Sequence, residues 1–200
     1  RSDIDTRRSW YGERSRKFWS QTIGFIPPED IESTLFSDNF LEYNGMTRAC
    51  VWDDSWVECA GVDWGFVEGG DRTVLQIIRV GLVDGVISCE AREALEFEVE
   101  AGEDDGAEPV RFILARRVYD ACRARGIEIR NVACDSTGQQ HAQCDILEQV
   151  WGESGLLRVH FGERALNRWA ADTQMRYKNR VTELWYQAWH LGRARQIYGV

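Results

Sequence analysis

Three apolar stretches separated by glycine-rich turns predict a run of strands near the middle of the chain. The stretches cover residues 57–67, 73–80 and 85–91, and their short connections are typical of an antiparallel meander. Residues 81–85 end in an Asp-Gly pair, which favours a tight hairpin turn between the second and third strands. The pattern therefore predicts three antiparallel strands in succession.

Helical spacing then alternates with further strands. Apolar residues over positions 110–122 recur every three or four residues, and Gly126 provides a stop for this first helix. A strand is predicted over residues 127–134, a second helix over 142–151 and another strand over 156–161. Because a helix separates these two strands, we expect them to be parallel.

The last predicted element is an amphipathic helix that begins near Tyr177. Helical periodicity assigns its buried face to Tyr177, Val181, Leu184, Trp185, Ala188 and Trp189. The complete order of elements resembles the ribonuclease H-like fold, an α/β class. That fold has a mixed central sheet, three antiparallel strands followed by parallel ones, flanked by helices. It places the first and fourth strands side by side at the sheet centre.

Composition narrows the class of protein without naming an activity. The chain has 200 residues, of which 44% are hydrophobic and 28% charged, values typical of a globular domain. It contains no apolar run long enough to span a membrane and no signal-peptide pattern. The sequence starts on Arg1 and resembles a piece of a longer protein.

Charge is distributed unevenly along the chain. The net charge of −9 argues against a general electrostatic attraction to nucleic acid. Residues 90–108 contain nine carboxylates and one arginine, whereas arginine and lysine predominate over residues 158–195. The basic region is compatible with a DNA-facing surface and equally with an ordinary solvated surface. The acidic segment 96–108 is predicted to be a loop or a hairpin extension.

The six cysteines form no Cys-x-x-Cys pair, and several lie in apolar runs. We therefore interpret them as reduced thiols of an intracellular protein. Cys134, His141, Cys144 and His160 include the ligand types of a zinc site, but their spacing matches no standard zinc pattern.

Two aspartates follow apolar strands in the same local pattern. Asp63 and Asp135 each come after an apolar run and precede small or polar residues. If their strands are neighbours, the two carboxylates meet, and each raises the pKa of the other unless a cation lies between them. Mg²⁺ accepts such oxygens, and two ions about 3.5–4 Å apart support phosphodiester cleavage. A structural interpretation, in which Asp63 caps its own turn, remains open.

Asp71 lies in the turn beyond Asp63, where it suits either the turn itself or the same metal site.

Several segments, in this order and spacing, resemble one protein family. They are residues 16–29 (Arg-Lys-Phe-Trp to Pro-Pro-Glu), 61–65 (Gly-Val-Asp-Trp-Gly), 70–73 (Gly-Asp-Arg-Thr), 133–138 (Ala-Cys-Asp-Ser-Thr-Gly) and 179–186 (Asn-Arg-Val-Thr-Glu-Leu-Trp-Tyr). The chain resembles the large terminase subunit of tailed double-stranded DNA bacteriophages. That family joins a packaging ATPase to a C-terminal ribonuclease H-like nuclease.

The resemblance implies a domain division and a set of functional residues. Residues 1–52 would be the linker and the end of the ATPase region, and residues 53–200 the nuclease domain. Asp63 and Asp135 would bind two Mg²⁺ or Mn²⁺ ions, with some support for Asp71. Double-stranded DNA would contact basic residues near the C-terminus, namely Arg164, Arg168, Arg176, Lys178 and Arg180.

The family's third acid usually follows the Asn-Arg-x-x-Glu-Leu-Trp segment, and this sequence stops at Val200 before such an aspartate. We expect that acid beyond Val200; the alternative is that Glu183 replaces it, although Glu183 is better placed for a salt bridge with Arg180. The sequence has no Gly-x-x-x-x-Gly-Lys-Ser/Thr phosphate loop, so ATP hydrolysis by this piece is not expected.

The resemblance further implies partners and a location. The partners would be the portal protein, the small terminase subunit and sister copies in a homo-oligomeric ring, at the viral prohead in the host cytoplasm and without a membrane. Two alternatives stay open. One is another ribonuclease H-like nuclease of the resolvase or transposase type; the other is a non-catalytic docking module of the packaging motor.

Overall fold

A computed structural model of the chain describes residues 48–65, 72–99, 109–138, 140–166 and 179–199. All of them belong to the second of the two units into which the chain divides, Leu41–Val200. The strands are β1 (Trp56–Asp63), β2 (Thr73–Val83), β3 (Val86–Phe97), β4 (Val132–Asp135), β5 (Leu157–Val159) and β6 (Ile197–Tyr198). The described helices are α1 (Val110–Ala124), α2 (Gln140–Trp151) and α3 (Arg180–Arg193).

The six strands form one mixed sheet in the order β5-β4-β1-β2-β3-β6. β1, β2 and β3 are antiparallel neighbours, whereas β4 pairs with β1, β5 with β4 and β6 with β3 in parallel. The prediction of an α/β fold with three antiparallel strands followed by parallel strands is confirmed. The predicted neighbourhood of the first and fourth strands is confirmed as well.

The core lies between one face of the sheet and the helices α1 and α2. Side chains alternate along a strand, and the buried residues of this face are Ala60 and Val62 of β1 and Thr73, Leu75 and Ile77 of β2. On α1 the buried residues are Leu114, Ala115, Val118 and Cys122, and on α2 they are Gln143, Cys144, Leu147 and Trp151. Both sets repeat the spacing of one helical stripe. Tyr119 of α1 meets Trp151 of α2 edge to face, with ring centroids 5.2 Å apart.

Two strand boundaries differ from the prediction at the end of the sheet near Asp63. β1 ends at Asp63 instead of residue 67, because Gly65 leaves the strand and its backbone is bound by the hydroxyl of Thr73. β3 continues to Phe97 instead of ending at residue 91. Its apolar residues Leu95 and Phe97 pack against the core while the intervening carboxylates face solvent. This alternation was hidden by the high acidic content of the segment.

The other two predicted strands are shorter than expected. β4 begins at Val132 instead of residue 127, because Ile129–Asn131 forms a 3-10 turn. Ile127 and Ile129 are buried without belonging to the strand, which explains the apolar run. β5 covers only Leu157–Val159. The short strand β6 was not predicted.

The hairpin turn between β2 and β3 is confirmed and is held by a residue that precedes the sheet. Asp84 and Gly85 have φ angles of 52° and 72°, as in a type I′ turn. Asp53 accepts hydrogen bonds from the backbone N–H of Asp84 (2.8 Å) and of Gly85 (2.6 Å), and its own N–H donates to Leu82 O. Trp52 covers Gly81, where an added Cβ would lie 2.9 Å from the indole.

Helix α3 connects the two edges of the sheet. It follows β5 and precedes β6, so its 14 residues, about 21 Å long, cross a sheet about 24 Å wide. This crossover runs in the opposite direction from the one through α2, and the right-handed rule therefore assigns α3 to the opposite face. Residues of that face, such as Cys59, Ile78 and Val80, are only partly buried.

The predicted buried face of α3 is wrong at its centre. Leu184 and Trp185 are exposed, whereas Glu183 is buried at 2% exposure. Helical periodicity cannot register a carboxylate that is buried because it has partners. The N-cap is Asn179, whose side chain accepts a hydrogen bond from Thr182 N at 3.1 Å. Tyr177 lies outside the described residues. None of the described helices has the length and apolar character of a membrane span.

A matched pair of leucines on β2 tests this assignment of the core. Leu75 is fully buried against α1 and α2, whereas Leu82 on the same strand is 42% exposed. We expect Leu75→Ala to lower the free energy of unfolding by about 3 kcal/mol because it opens a cavity. Leu82→Ala should cost less than about 1 kcal/mol. Urea unfolding of both variants measures this difference, and equal losses would contradict the proposed packing.

Candidate metal centre

The carboxylates predicted to form a site lie on neighbouring strands. The parallel register pairs Ala60 with Val132 and Val62 with Cys134. One residue further along both strands stand Asp63 and Asp135, the last residues of β1 and β4. Neighbouring strands are about 4.8 Å apart. The structure therefore brings the two aspartates side by side at the carboxyl ends of two parallel strands.

Both aspartates project away from the core. Val62 and Cys134 are buried beneath α1 and α2, and strand side chains alternate, so the next residues face the other side of the sheet. Asp63 is exposed, and no hydrogen bond or ion pair joins its carboxylate to a described residue. An added Cβ on Gly61, two residues earlier on the same face, would meet no described atom within 4 Å. The described residues therefore leave the Asp63 carboxylate accessible.

Asp135 is held in place by its surroundings. Its Oδ1 accepts a hydrogen bond from Thr137 N at 2.8 Å, and its carbonyl oxygen accepts one from the Cys144 thiol at 3.5 Å. The following residue, Ser136, donates its N–H to Val159 O, and Phe161 N donates to the Thr137 hydroxyl. The loop after β4 is thus tied to β5 and to α2, and it fixes the orientation of the carboxylate.

The thiols beneath Asp135 behave as core residues. Cys134 and Cys144 are both fully buried, and all six cysteines are free. The hydrogen bond with Cys144 raises the pKa of the Cys134 thiol, and burial raises it further. Burial also raises the pKa of Cys122, to about 12. The hydrogen bond with Cys134 lowers the pKa of the Cys144 thiol. The full burial of both side chains favours packing over the zinc interpretation.

A third ligand is not provided by the described part of the chain. Within those residues no group of three or more His, Cys, Asp or Glu side chains is arranged to hold a metal ion. Asp71 lies outside the described residues. Two adjacent carboxylates, one of which has no side-chain partner among the described residues, suit a hard cation such as Mg²⁺ or Mn²⁺, which also keeps water ligands. The described residues therefore fit an ion that is held by the two carboxylates of Asp63 and Asp135.

Glu183 does not join these two carboxylates. Its Oε2 accepts hydrogen bonds from Leu166 N at 2.8 Å and from Arg180 Nη1 at 3.2 Å, whereas its buried Oε1 has no partner. The predicted salt bridge with Arg180 is confirmed. The backbone N–H of Arg180 also donates to Glu163 O, so this contact fastens the start of α3 to the segment after β5.

The predicted DNA-contacting residues have different surroundings. Arg164 is exposed in the segment after β5. Arg180 is mostly buried, with 19% of its side chain exposed in the ion pair with Glu183. Arg168, Arg176 and Lys178 lie outside the described residues. The described geometry thus makes Arg164 accessible to a ligand and gives Arg180 a structural partner.

A cleft of about 440 Å³ lies at the other end of β1. Trp56, Arg125 and Arg130 are among its lining residues. Its arginines are already engaged by carboxylates, Arg125 with Glu93 at 2.7 Å and Arg130 with Glu128 at 2.5 Å. Because β1 runs from this cleft to Asp63, the cleft is separate from the carboxylate pair.

Comparison with known proteins adds no relative. No family model, curated protein or solved structure matches this chain significantly. The geometry of the described residues therefore carries the functional argument.

Sequence patterns missed two residues beside the carboxylate pair. Thr137 orients Asp135 through its backbone N–H, and only its position two residues after a strand-end aspartate hints at that turn. Arg72 immediately precedes β2 and forms ion pairs with Glu96 of β3 and with Glu98, which follows β3. Its partners lie more than 20 residues away in sequence, so no local pattern selects it.

Substitution of Arg180 and of Arg164 separates a structural arginine from a surface arginine. Arg180→Ala leaves the buried Glu183 without its cation, and we expect it to lower the free energy of unfolding by about 3 kcal/mol. Arg164→Ala, at an exposed position, should change it by less than about 0.5 kcal/mol. Chemical denaturation of the two variants measures the contrast. Equal stability of the two variants would mean that the Glu183 contact contributes little.

Proposed function

We propose that this chain is the metal-dependent endonuclease domain of a viral DNA-packaging motor, which cuts concatemeric double-stranded DNA during genome packaging. The observation that supports the proposal most is the pairing of Asp63 with Asp135 on adjacent parallel strands. The arrangement agrees with a ribonuclease H-like nuclease, in which carboxylates at the sheet centre hold divalent cations. The motifs that resemble large terminase subunits favour packaging over another nuclease of the same fold.

The two aspartates supply a negatively charged site on neighbouring strands of the sheet. Asp63 and Asp135 would hold Mg²⁺ or Mn²⁺ through oxygens that no described side chain occupies, while Thr137 N keeps Asp135 oriented. Bound divalent ions supply a water activated for attack on phosphorus and stabilise the leaving oxygen. At Gly61, where an added Cβ would meet no described atom within 4 Å, the sheet would accommodate a phosphate of the DNA backbone. Placement on strands instead of loops preserves the distance between the carboxylates.

The wider assignment belongs to the same proposal. Double-stranded DNA would be the substrate, and the portal protein, the small terminase subunit and sister copies in a ring would be the partners. The site of action would be the prohead in the host cytoplasm. Residues 1–52 would connect the nuclease to an ATPase region, and residues 53–200 would form the nuclease.

Cleavage of supercoiled plasmid tests the nuclease directly. We expect nicking with Mn²⁺ or Mg²⁺, none with chelator, and a loss of at least about a hundredfold in Asp63→Asn and Asp135→Asn. Asp120→Asn is the matched control, because Asp120 is an exposed aspartate on α1, whose buried face packs beneath the sheet. Circular dichroism verifies that all three variants are folded.

A second readout separates metal binding from catalysis. Mn²⁺ should raise the melting temperature of the unsubstituted chain and of Asp120→Asn, but not that of Asp63→Asn, because only the first two retain the paired carboxylates. Absence of both metal binding and cleavage, here and in a chain that continues past Val200, would contradict the proposal. That result would favour the docking module, in which both aspartates are structural.

A further inference from the structure

We propose that Arg72 binds a phosphate of the DNA backbone next to the Asp63–Asp135 pair. When DNA is absent, Glu96 and Glu98 bind its guanidinium instead. This inference rests on the proposed nuclease function and adds a substrate-binding residue to it. Three observations support it: the position of Arg72 relative to Asp63, its present partners, and its exposure.

Strand pairing places Arg72 near Asp63. β2 is antiparallel to β1, and Asp63 pairs with Val74. The hydroxyl of Thr73 accepts a hydrogen bond from the N–H of Gly65 and donates one to its carbonyl oxygen. The two segments therefore stay together at the ends of β1 and β2. Arg72 is two residues from Val74 and therefore on the same face of β2. Diagonal neighbours of this kind are about 7–8 Å apart, within reach of an arginine side chain.

The guanidinium is currently bound on the side away from β1. Arg72 Nη1 lies 2.6 Å from Glu96 Oε2, and its Nε lies 3.3 Å from Glu98 Oε2. Both carboxylates belong to the end of β3 and the residues after it, whereas Asp63 lies on the other neighbour of β2. The arginine therefore leaves Asp63 available for a cation.

This ion pair is suited to exchange. The side chains of Arg72, Glu96 and Glu98 are all more than half exposed. Exposed ion pairs contribute little net stability, so the guanidinium can be redirected at small cost. A phosphodiester has two non-bridging oxygens, which a guanidinium can bind in the bidentate way that it binds a carboxylate.

The carboxylate pair gives a reason for a cation at this position. Asp63 and Asp135 repel the negatively charged DNA backbone, and an arginine beside them would counter that repulsion where a phosphate must approach. The alternative is that Arg72 only ties β2 to β3. The two roles predict different effects on DNA affinity.

Binding of a fluorescent DNA duplex, measured by anisotropy with Ca²⁺ over a series of NaCl concentrations, tests the proposal. Arg72→Ala should weaken binding about tenfold and reduce the salt slope by about one, because one phosphate contact is lost. Arg72→Lys should restore part of the affinity. Arg130→Ala is the matched control, since Arg130 is also exposed and paired with a glutamate, but roughly 15 Å from Asp135 along the chain direction.

Substitution of Glu96, the partner of Arg72, provides an independent test of the proposal. Glu96→Gln should strengthen DNA binding by releasing Arg72, and this gain should disappear in the Arg72→Ala background. Glu128→Gln removes the same charge beside Arg130 and should leave the affinity unchanged. An equal gain in DNA affinity from Glu96→Gln with and without Arg72 would show a general charge effect. It would contradict the proposed competition between Glu96 and DNA for Arg72.

Failure of this inference is distinguishable from failure of the nuclease. Arg72→Ala and Arg130→Ala could have equal DNA affinity and salt slope, with only a lower unfolding midpoint in Arg72→Ala. This result would mean that Arg72 only connects β2 to β3 and does not bind DNA. That outcome leaves metal-dependent cleavage by the unsubstituted chain unaffected. Conversely, binding is read without cleavage, so an inactive chain that loses affinity in Arg72→Ala still supports a phosphate contact. Absence of DNA binding by the unsubstituted chain overturns the inference.

Discussion

The in-register parallel pairing of β1 with β4 is the constraint on which the site and the core both depend. It directs Val62 and Cys134 beneath the helices and, by alternation, directs Asp63 and Asp135 to the opposite face. A slip of one residue in either strand would bury a carboxylate and expose an apolar side chain. The burial of the core therefore enforces the position of the acids, and the site needs no separate device to align them.

The two acids nevertheless differ in how they are held. Asp135 is surrounded by contacts that connect β4 to α2 and to the end of β5, among them those of Thr137 and Cys144. The backbone of Asp63 is held on a central strand, and no described residue binds its carboxylate. In the proposed metal site, one carboxylate with a fixed orientation would lie next to one that can adjust, which suits an ion that exchanges its water ligands. The buried Glu183 shows the opposite solution, in which partners surround a carboxylate and keep it for structure.

The sequence was sufficient for the features that depend on local patterns. The order of strands and helices, the Asp-Gly turn and the two strand-end aspartates were predicted because each has a signature within a few residues. The acidic half of β3 was missed because its apolar residues alternate with carboxylates, and the partner of Glu96, Arg72, lies just before the previous strand. The exposed centre of α3 was missed because periodicity assumes that apolar residues are buried. β6 has only two residues, too few for any pattern.

The anchoring of the hairpin turn by Asp53 affects where the folded unit begins. Asp53 lies three residues before the first strand and still binds both turn amides, while Trp52 covers Gly81 and Arg48 stacks on Tyr198. A fragment cut at the start of β1 would lose this support and leave the turn to water. Mechanical force applied to the chain at residue 53 would act on the turn between β2 and β3 as well as on β1. The segment before β1 therefore transmits force to two parts of the sheet at once.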